Sequence, residues 1–339
     1  MAAPVATGTL PTAPRAARLD WMEVARRHRV LLASAFVLVF PLLLPFEALA
    51  VNILIQGLYA LGFNLMFGYL GLLSFGHAAL FGGGSYLCGI AFVHFGAPWW
   101  AALLAGVAGG LVIAAAIGAL AVRTRGIYFS MVTLALSQCV YYIFYQATSW
   151  TGGENGLRGT DLPRIDLGFV SLDFLSPRTR YYAIAACVIL ALWLLSRILA
   201  SPFGAAMEAM RENEARARAC GFDTTRTRLL AFILSGGFCG LAGALNAFHL
   251  AIVPIETMHY ETSGLAVMMS LLGGMGTFFG PFVGAAVFLL LENLVSVWTV
   301  HWQLVVGAIF VLCVLFFPRG IWGSLLHWAA QAGRRGAGS

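Results

Sequence analysis

Lysine is absent from this chain, since all 20 of its basic residues are arginine. A Walker A loop needs a lysine on the phosphates of its nucleotide, and retinal and pyridoxal phosphate proteins need one for the Schiff base. The sequence therefore excludes a P-loop nucleotide site and both of these cofactors. If ATP drives an activity of this protein, another subunit must hydrolyse it.

Metal-binding and disulfide patterns are absent as well. The six cysteines are scattered singly, with no CxxC pair, and the histidines show no metal-ligand spacing. Isolated cysteines of this kind pack as small apolar residues. We therefore expect no metal site and no cofactor in this chain.

Charge is scarce, because 10% of the 339 residues are charged and 60% are apolar. Apolar runs of about 20 residues recur along the chain, and a run of this length crosses the hydrocarbon of a bilayer. The runs lack the alternation that the strands of a membrane barrel show. We predict an all-α polytopic membrane protein with about ten transmembrane helices, and at least about eight. The predicted spans are 30–46, 49–68, 71–95, 98–121, 126–147, 181–199, 228–252, 263–279, 281–298 and 302–317.

Arginines are distributed unevenly between the predicted loops. With ten spans both termini lie on one side, which carries 16 arginines, whereas the other side carries four. Basic residues are enriched in cytoplasmic loops, so the pI near 9.2 reflects topology and not nucleic-acid binding. We predict a transmembrane domain over 30–318 in the inner (plasma) membrane, with cytoplasmic termini over 1–29 and 319–339. Residues 201–227 form a cytoplasmic loop and residues 148–180 an external loop in this prediction.

The beginning of the chain has features of a secretory signal. Basic residues precede the apolar stretch 30–44, and the small residues of "ALA" follow at 48–50. The lead of 29 residues is long for a cleavable signal, and removing the first span would upset the alternation of the arginines. We expect an uncleaved helix.

Polar side chains form two stripes inside the predicted spans, each at helical spacing and each on one helix face. The stripes are Asn52, Gln56 and Tyr59 in the second span, and Ser130, Thr133, Ser137 and Tyr141 in the fifth span. Polar groups are costly in lipid, so both stripes should face other helices or a wet cavity. Two interpretations remain open: interhelical hydrogen bonding, or a translocation path for an uncharged or zwitterionic solute.

Two ionisable residues inside spans are further candidates for this path. Glu292 lies about six residues, or about 9 Å, from the outer end of its span, and an intramembrane carboxylate is a functional candidate. The alternative is a protonated or Asn293-assisted glutamate that ties two helices together. His77, within "SFGHAALFGGG", is the second candidate. Its alternative is a packed, hydrogen-bonded histidine.

A polar, glycine-containing loop, "TSWTGGENGLRGT" (148–160), follows the fifth span. Adjacent glycines beside polar side chains are typical of tight turns. Thr151, Gly152, Gly153 and Asn155 are candidates for a role at the outer mouth of a path. The alternative is a simple connector.

The stretch from Ser201 to Phe232 concentrates charge in an otherwise apolar chain. Pro202 predicts a helix start, Gly221 a helix end in the αL conformation, and Asp223 a cap for the next helix. We expect one amphipathic helix over 203–221 with an exposed Met/Phe face. Its mixed charge favours docking in a groove of a protein partner over lying on a membrane surface.

The candidate docking residues combine that apolar face with the charged residues around it. They are Phe203, Met207, Glu208, Met210, Arg211, Glu212, Glu214, Ala215 and Gly221. We expect Glu214 to lie on the solvent side of the helix, so that reversing its charge removes no buried packing. Because the chain has no ATP site, a cytoplasmic ATPase is the natural partner.

Five blocks of sequence, in order over residues 50–318, resemble one family of transport proteins. "EAMRENEARARACGFDTTRTRLLAFILSG" resembles the coupling loop of ABC importer permeases, although Arg216 stands where the family's Glu-Ala-Ala pattern has its second alanine. "LGFNLMFGYLGLLSFGHAALFGGGSYL", "RGIYFSMVTLALSQ", "TGGENGL" and "GGMGTFFGPFVGA" resemble LivM-type permeases of branched-chain amino-acid ABC importers.

The resemblance implies a heteromeric importer in which this chain is a permease. Its partners would be a second related permease, two ATP-binding subunits and a soluble solute-binding protein. Membrane lipid would surround the permeases. Permeases for urea, short amides and other amino acids belong to the same family, so the cargo stays open. A secondary transporter and an intramembrane enzyme are the rival classes. The former more often carries several intramembrane charges, and for the latter the sequence shows no G-x-S-x-G or H-E-x-x-H motif.

Overall fold

The computed structural model describes residues 34, 37, 47–160, 165–166, 171–172, 176–317, 320–325 and 328. Twelve α-helices are found in this part of the chain. They are α1 (Glu47–Phe67), α2 (His77–Val93), α3 (Trp99–Ala121), α4 (Ile127–Gln146), α5 (Thr148–Thr151), α6 (Pro177–Leu199), α7 (Pro202–Glu212), α8 (Glu214–Ala219), α9 (Thr224–Leu250), α10 (Tyr260–Gly273), α11 (Gly280–Trp298) and α12 (Trp302–Phe316). Two 3-10 turns cover Gly153–Asn155 and Ile255–Met258.

Strands in the described part are short. Four of two residues each pair antiparallel, β1 (Leu157–Arg158) with β4 (Ile252–Val253) and β2 (Ile165–Asp166) with β3 (Ser171–Leu172). The first ladder ties the segment after α5 to the segment after α9.

Helices occupy nine of the ten predicted spans, from 49–68 to 302–317. Seven helical segments are long and apolar enough to cross a membrane, namely α1, α3, α4, α6, α9, α11 and Trp302–Leu325, which begins with α12. The apolar helix α2 is shorter, at 17 residues, and α10 has 14 residues. The prediction of an all-α polytopic membrane protein is confirmed. The predicted first span and both predicted terminal segments lie largely outside the described residues.

Two predicted spans, 71–95 and 263–279, have the wrong extent because the chain leaves the helix inside them. The first break covers residues 68–76, between α1 and α2, and the second break covers residues 274–279, between α10 and α11. Gly71 (φ +78°) and Gly276 (φ +71°) adopt left-handed backbone conformations there. Glycine reaches these angles without the clash that a β-carbon introduces, so the glycine-rich stretches turn the chain.

The centre of the bundle consists of α1 and three helices that pack through glycine. In the most apolar 18-residue stretch of α1, 83% is buried inside the protein, whereas in the corresponding stretch of α4 the buried share is 22%. A β-carbon on Gly84 of α2 would lie 2.5 Å from the Cα of Gly240 of α9, and one on Gly110 of α3 would lie 2.8 Å from the same atom. These positions let the three helix backbones approach closely, as small residues do in membrane proteins.

Loops of the described part alternate between the two ends of the bundle. At one end Arg125 Nη2, in the α3–α4 loop, lies 3.7 Å from Glu214 Oε1. The first and second breaks lie at the same end, joined through Asn64. We call this the arginine-rich end, because most arginines of the described part lie there. At the opposite end β1 pairs with β4, and Arg178 Nε lies 3.1 Å from Glu47 Oε1.

Candidate functional site

The charged segment, residues 201–227, contains two short helices and not the single helix expected. The backbone is extended at Asn213 (φ −159°, ψ 102°), whose side chain accepts a 2.9 Å hydrogen bond from Arg216 N–H and caps α8. Three local predictions are confirmed. Pro202 lies in the first turn of α7, Gly221 has a φ of +89°, and the Asp223 side chain accepts from two backbone N–H groups of α9.

The apolar face of α7 is turned into the protein. Met207 is 0% exposed and Met210 is 6% exposed, both within the main hydrophobic core, and Phe203 packs against that core. The expectation of an exposed Met/Phe face on these three residues is therefore wrong. An amphipathic helix buries its apolar side wherever a complementary surface is available, and here the transmembrane helices of the same chain provide it.

The outward side of the charged segment is polar and carries both signs of charge. Its exposed side chains include Glu208, Glu212, Ala215, Arg216 and, 43% exposed, Phe222. The predicted docking residues that are exposed, and so accessible to a partner, are Glu208, Arg211, Glu212, Ala215 and Gly221. Phe203, Met207 and Met210 instead fix the helix to the bundle.

Glu214 is the centre of an ion-pair cluster. Its Oε1 lies 2.6 Å from Arg228 Nη2, 2.7 Å from Arg218 Nη2 and 3.7 Å from Arg125 Nη2. The side chain of Arg228 is 4% exposed and that of Glu214 is 31% exposed. The expectation that Glu214 faces solvent, with no buried group depending on it, is wrong, because its carboxylate is the counter-ion of a buried arginine. The cluster joins α8, the start of α9 and the α3–α4 loop.

Arg211, at the last turn of α7, contacts both helix breaks. Its Nη1 donates a hydrogen bond to Gly68 O, where α1 ends. A β-carbon on Gly71 would lie 3.3 Å from Arg211 Cγ, and one on Gly276 would overlap Arg211 Nη1. The stem of the arginine therefore passes the first break and its guanidinium reaches the second.

Asn64 joins the two breaks to each other. Its Nδ2 donates to Thr277 O at 3.1 Å, and its Oδ1 accepts from Gly276 N–H at 3.1 Å. The residue is 1% exposed. Asn64 was not predicted from the sequence, because it stands alone in an apolar run and does not share the face of the Asn52–Tyr59 stripe.

The hydroxyl stripe of α4 holds the backbone of the first break. Ser130 Oγ donates to Leu73 O at 2.7 Å, and Thr133 Oγ1 accepts from Phe75 N–H at 3.2 Å. Ser263 of α10 completes the arrangement, since its Oγ donates to Phe75 O and accepts from Ala78 N–H, both at 2.8 Å. Buried backbone groups outside a helix need such partners. The interhelical reading of Ser130 and Thr133 has direct support here, and Ser263 was missed.

His77 links three helices. Its Nε2 lies 2.8 Å from Ser235 Oγ, which itself donates to Gly62 O at 2.6 Å. A hydroxyl has one proton to donate, so Ser235 accepts from the histidine, which carries its proton on Nε2. The imidazole is 0% exposed and meets the rings of Phe63 and Phe232 edge-on. These contacts match the packed, hydrogen-bonded alternative.

The remaining members of the two stripes are placed differently from one another. Tyr59 is fully buried and its hydroxyl donates to Thr262 O at 3.2 Å, whereas Asn52 and Gln56 are partly buried. Ser137 is buried, and within the described residues its Oγ has no hydrogen-bond partner. Tyr141 lies near the end opposite to the arginine-rich end, where its ring stacks on another aromatic ring. The two stripes therefore do not line one continuous surface in this structure.

Glu292 is partly buried in α11, six residues before the last residue of that helix, Trp298. The neighbouring Asn293 donates its amide to Leu289 O of the same helix at 3.1 Å. Within the described residues neither a hydrogen bond nor an ion pair to the Glu292 carboxylate is found. The Asn293-assisted alternative has no support in these contacts.

The loop after α4 is a compact turn. Thr151 Oγ1 donates toward Phe144 O at 2.7 Å and Ala147 O at 2.9 Å, and it accepts from Gly153 N–H. Gly152 and Gly153 have φ values of +76° and +57°, which the turn requires and glycine permits. Asn155 is exposed. This internal bonding explains why polar residues and adjacent glycines occur together here.

Metal ligands do not cluster in the described part of the chain. Among the described residues, no three His, Cys, Asp or Glu side chains lie together in a way that could hold a metal ion. The six cysteines are free.

These features define a class of protein. A bundle of apolar helices contains two breaks whose backbone is held by interior side chains, and a charged segment is fixed against both breaks. This is a polytopic membrane protein of the transporter class. The chain belongs to the family described as branched-chain amino acid transport system / permease component, which matches residues 46–315. It is therefore the non-catalytic membrane component of an ABC transport system, and neither an enzyme nor a secondary transporter.

Individual relatives carry the names of different solutes. The high-affinity branched-chain amino acid transport system permease protein LivM of Salmonella typhimurium strain LT2 is 29% identical over 298 residues, 80% of this chain and 69% of that protein. The corresponding LivH protein of Escherichia coli K12 is 26% identical over 287 residues, 78% of this chain and 90% of that protein. The autoinducer 2 import system permease protein LsrC of Klebsiella pneumoniae is 32% identical over 189 residues, 54% of this chain and 49% of that protein.

Proposed function

We propose that this chain is a permease subunit that imports branched-chain amino acids, or related small polar solutes, with ATP hydrolysed by partner subunits. The observation that carries the proposal is the charged segment, which is anchored to both helix breaks and keeps a polar, accessible outer side. A segment built in this way transmits the movement of a bound partner to the membrane helices. Family membership and the 29% identity to LivM support the cargo class.

The interior supports a solute without net charge. The buried polar groups of the described helices are mainly hydroxyls, amides and one histidine, with the buried Arg228 at the arginine-rich end of α9, and Glu292 is the one acidic residue well inside a span. Such groups stabilise a zwitterion or an amide better than a bare ion, because an ion needs a counter-charge in a medium of low dielectric constant. Urea and short amides are the alternative cargo.

The partners follow from the surfaces that remain accessible. Two ATP-binding subunits dock at the charged segments of this chain and of a second, related permease, and the similarity to LivH favours such a relative. A soluble binding protein delivers solute at the opposite end, near Thr151–Asn155. The arginine-rich end and both termini are cytoplasmic, and the inner membrane is the location, because basic residues are retained on the cytoplasmic side.

The translocation path is formed with the second permease. This chain would contribute α1, α2, α4 and α11 to the path. These helices carry the residues of the two stripes, His77 and Glu292. The weakly buried helix α4, with exposed Ile127, Tyr128 and Met131, is the side of the bundle that meets the second permease. Gln56 Oε1 and Ser137 Oγ are the stripe atoms that are buried without a hydrogen-bond partner in the described residues, which leaves both free to bond a solute.

The test purifies the chain with its native partners and identifies them. The isolated binding protein is then screened against amino acids, urea and amides. The whole complex is reconstituted into vesicles, and uptake of radiolabelled leucine and of radiolabelled urea is measured with ATP or with a non-hydrolysable analogue. Uptake that requires hydrolysable ATP and the binding protein is expected. Uptake that is independent of both would overturn the proposal.

A further inference from the structure

We infer that Arg211 is a positioning residue that makes the two helix breaks follow the charged segment together. The inference rests on the proposed function and deepens it. It names the side chain through which movement of α7 reaches the two helix breaks.

Arg211 bonds a buried backbone carbonyl at a helix end. The last carbonyls of an α-helix have no partner within the helix and carry the negative end of its dipole. Gly68 O is such a group, directly after α1, and the guanidinium of Arg211 donates to it. Within the described residues Arg211 forms no ion pair with a carboxylate. Its charge is therefore directed at the end of α1.

The same guanidinium packs against the second break. Gly276, 208 positions after Gly68 in the sequence, approaches Arg211 Nη1 so closely that a β-carbon would overlap it. Asn64 bonds Gly276 N–H and Thr277 O at 3.1 Å each. Asn64 thus bonds the second break to α1, whereas Arg211 bonds the end of α1 and packs against Gly276 of the second break.

The contact is separate from the ion-pair cluster. Glu214 connects α8 to α9 and to the α3–α4 loop, whereas Arg211 connects α7 to the breaks. The extended backbone at Asn213 lies between the two connections. The first break in turn is bonded to hydroxyls of α4 and α10, so a displacement of Arg211 reaches the interior of the bundle.

The experiment compares Arg211→Gln, Arg211→Lys and the control Arg197→Gln in the reconstituted complex. Arg197 lies in the last turn of α6, outside the charged segment; it is exposed, lies over the Trp193 ring and has no described contact with either break. Leucine uptake and ATP hydrolysis are measured on the same vesicles, together with co-purification of the ATP-binding subunits. If the wild-type complex transports urea but not leucine, urea is the probe.

We expect Arg211→Gln to assemble and hydrolyse ATP but to lower solute transported per ATP by about fivefold or more, a typical size for a coupling between sites. Arg211→Lys should recover part of this ratio, because an ammonium reaches Gly68 O but lacks the planar fork that also reaches the second break. Arg197→Gln should keep the wild-type ratio.

The outcomes separate the inference from the proposed function. A wild-type complex without ATP-driven uptake contradicts the proposed function. A wild-type ratio in Arg211→Gln, when the wild-type complex transports, overturns the inference alone. If the complex with Arg211→Gln fails to assemble, the complex with Arg211→Lys decides whether the inference holds. Assembly with a lowered ratio supports the inference, and failed assembly of both variants overturns it, because Arg211 then acts in folding.

Discussion

Replacing Glu214 with glutamine removes the negative charge at the centre of the ion-pair cluster and leaves the shape of the side chain almost unchanged. Three guanidinium groups lie within 3.7 Å of its Oε1, and one of them belongs to the buried Arg228. The amide oxygen of glutamine accepts a hydrogen bond but does not neutralise a cation. The variant therefore leaves a buried arginine beside two other cations without a counter-charge.

The size of the expected loss of stability depends on how deeply Glu214 and Arg228 are buried. Removing one partner of a fully buried ion pair costs about 3–5 kcal/mol of folding free energy, and an exposed pair is worth about 0.2–1 kcal/mol. Arg228 is 4% exposed but Glu214 is 31% exposed, so water screens the pair in part. We expect a loss of about 2–3 kcal/mol.

The matched control is Arg226→Gln, which breaks the Asp223–Arg226 pair on the surface of the same segment. Its side chains are 85% and 53% exposed, so the expected loss is below about 1 kcal/mol. Both variants are purified as the full chain in detergent, and their melting temperatures are measured by size-exclusion chromatography after heating. Glu214→Gln should melt well below Arg226→Gln.

A second variant tests the reason given for the loss. Glu214→Gln combined with Arg228→Met leaves no buried cation, so the double variant should melt above Glu214→Gln alone. If Glu214→Gln melts no lower than the control, or if removing Arg228 gives no recovery, the reasoning about a buried counter-ion is refuted.

Three further outcomes are expected. The purified chain alone should neither bind nor hydrolyse ATP, because it has no lysine for a P-loop; specific nucleotide binding by the isolated chain would contradict this. In a cysteine-free background, a membrane-impermeant thiol reagent added outside should label Asn155→Cys and spare Asn213→Cys, both of them exposed positions, and the reverse pattern would invert the topology. Gly240→Ala places a β-carbon 2.7 Å from Gly106 O and should cost about 1–3 kcal/mol by overpacking, whereas Gly264→Ala meets nothing within 4 Å and should leave the melting temperature unchanged.

Features that depend on local sequence were predictable. The apolar runs locate nine helices because length and composition alone determine which segments can cross a bilayer. Pro202, Gly221 and Asp223 were assigned correctly, because a missing N–H, a left-handed backbone and a capping carboxylate act within a few residues.

Features that depend on distant parts of the chain were not predictable. The apolar face of α7 was recognised, but the sequence does not say whether Met207 meets a partner or the same chain. Asn64 and Ser235 gave no signal, because each is a single polar residue in an apolar run, and Ser263 gave none because it directly follows the polar Glu261 and Thr262. Their partners are backbone groups 173 to 213 positions away in the case of Ser235 and Asn64. Pairings at such distances require knowledge of the fold.

The serine and threonine hydroxyls that bond the first break respond differently from backbone-to-backbone hydrogen bonds when the bonded groups move apart. A serine or threonine in a helix can return its hydroxyl proton to a carbonyl of the preceding turn, and Thr133 already donates to Ser130 O at 2.9 Å. If Leu73 and Phe75 move away, Ser130 and Ser263 keep partners within their own helices. The free-energy cost of detaching the first break then comes almost entirely from the backbone groups of residues 73–75, which lose their partners. Water that enters an opening cavity can solvate these groups. The first break is thus attached by hydrogen bonds whose exchange costs little free energy, so reversible opening does not require any helix to unwind.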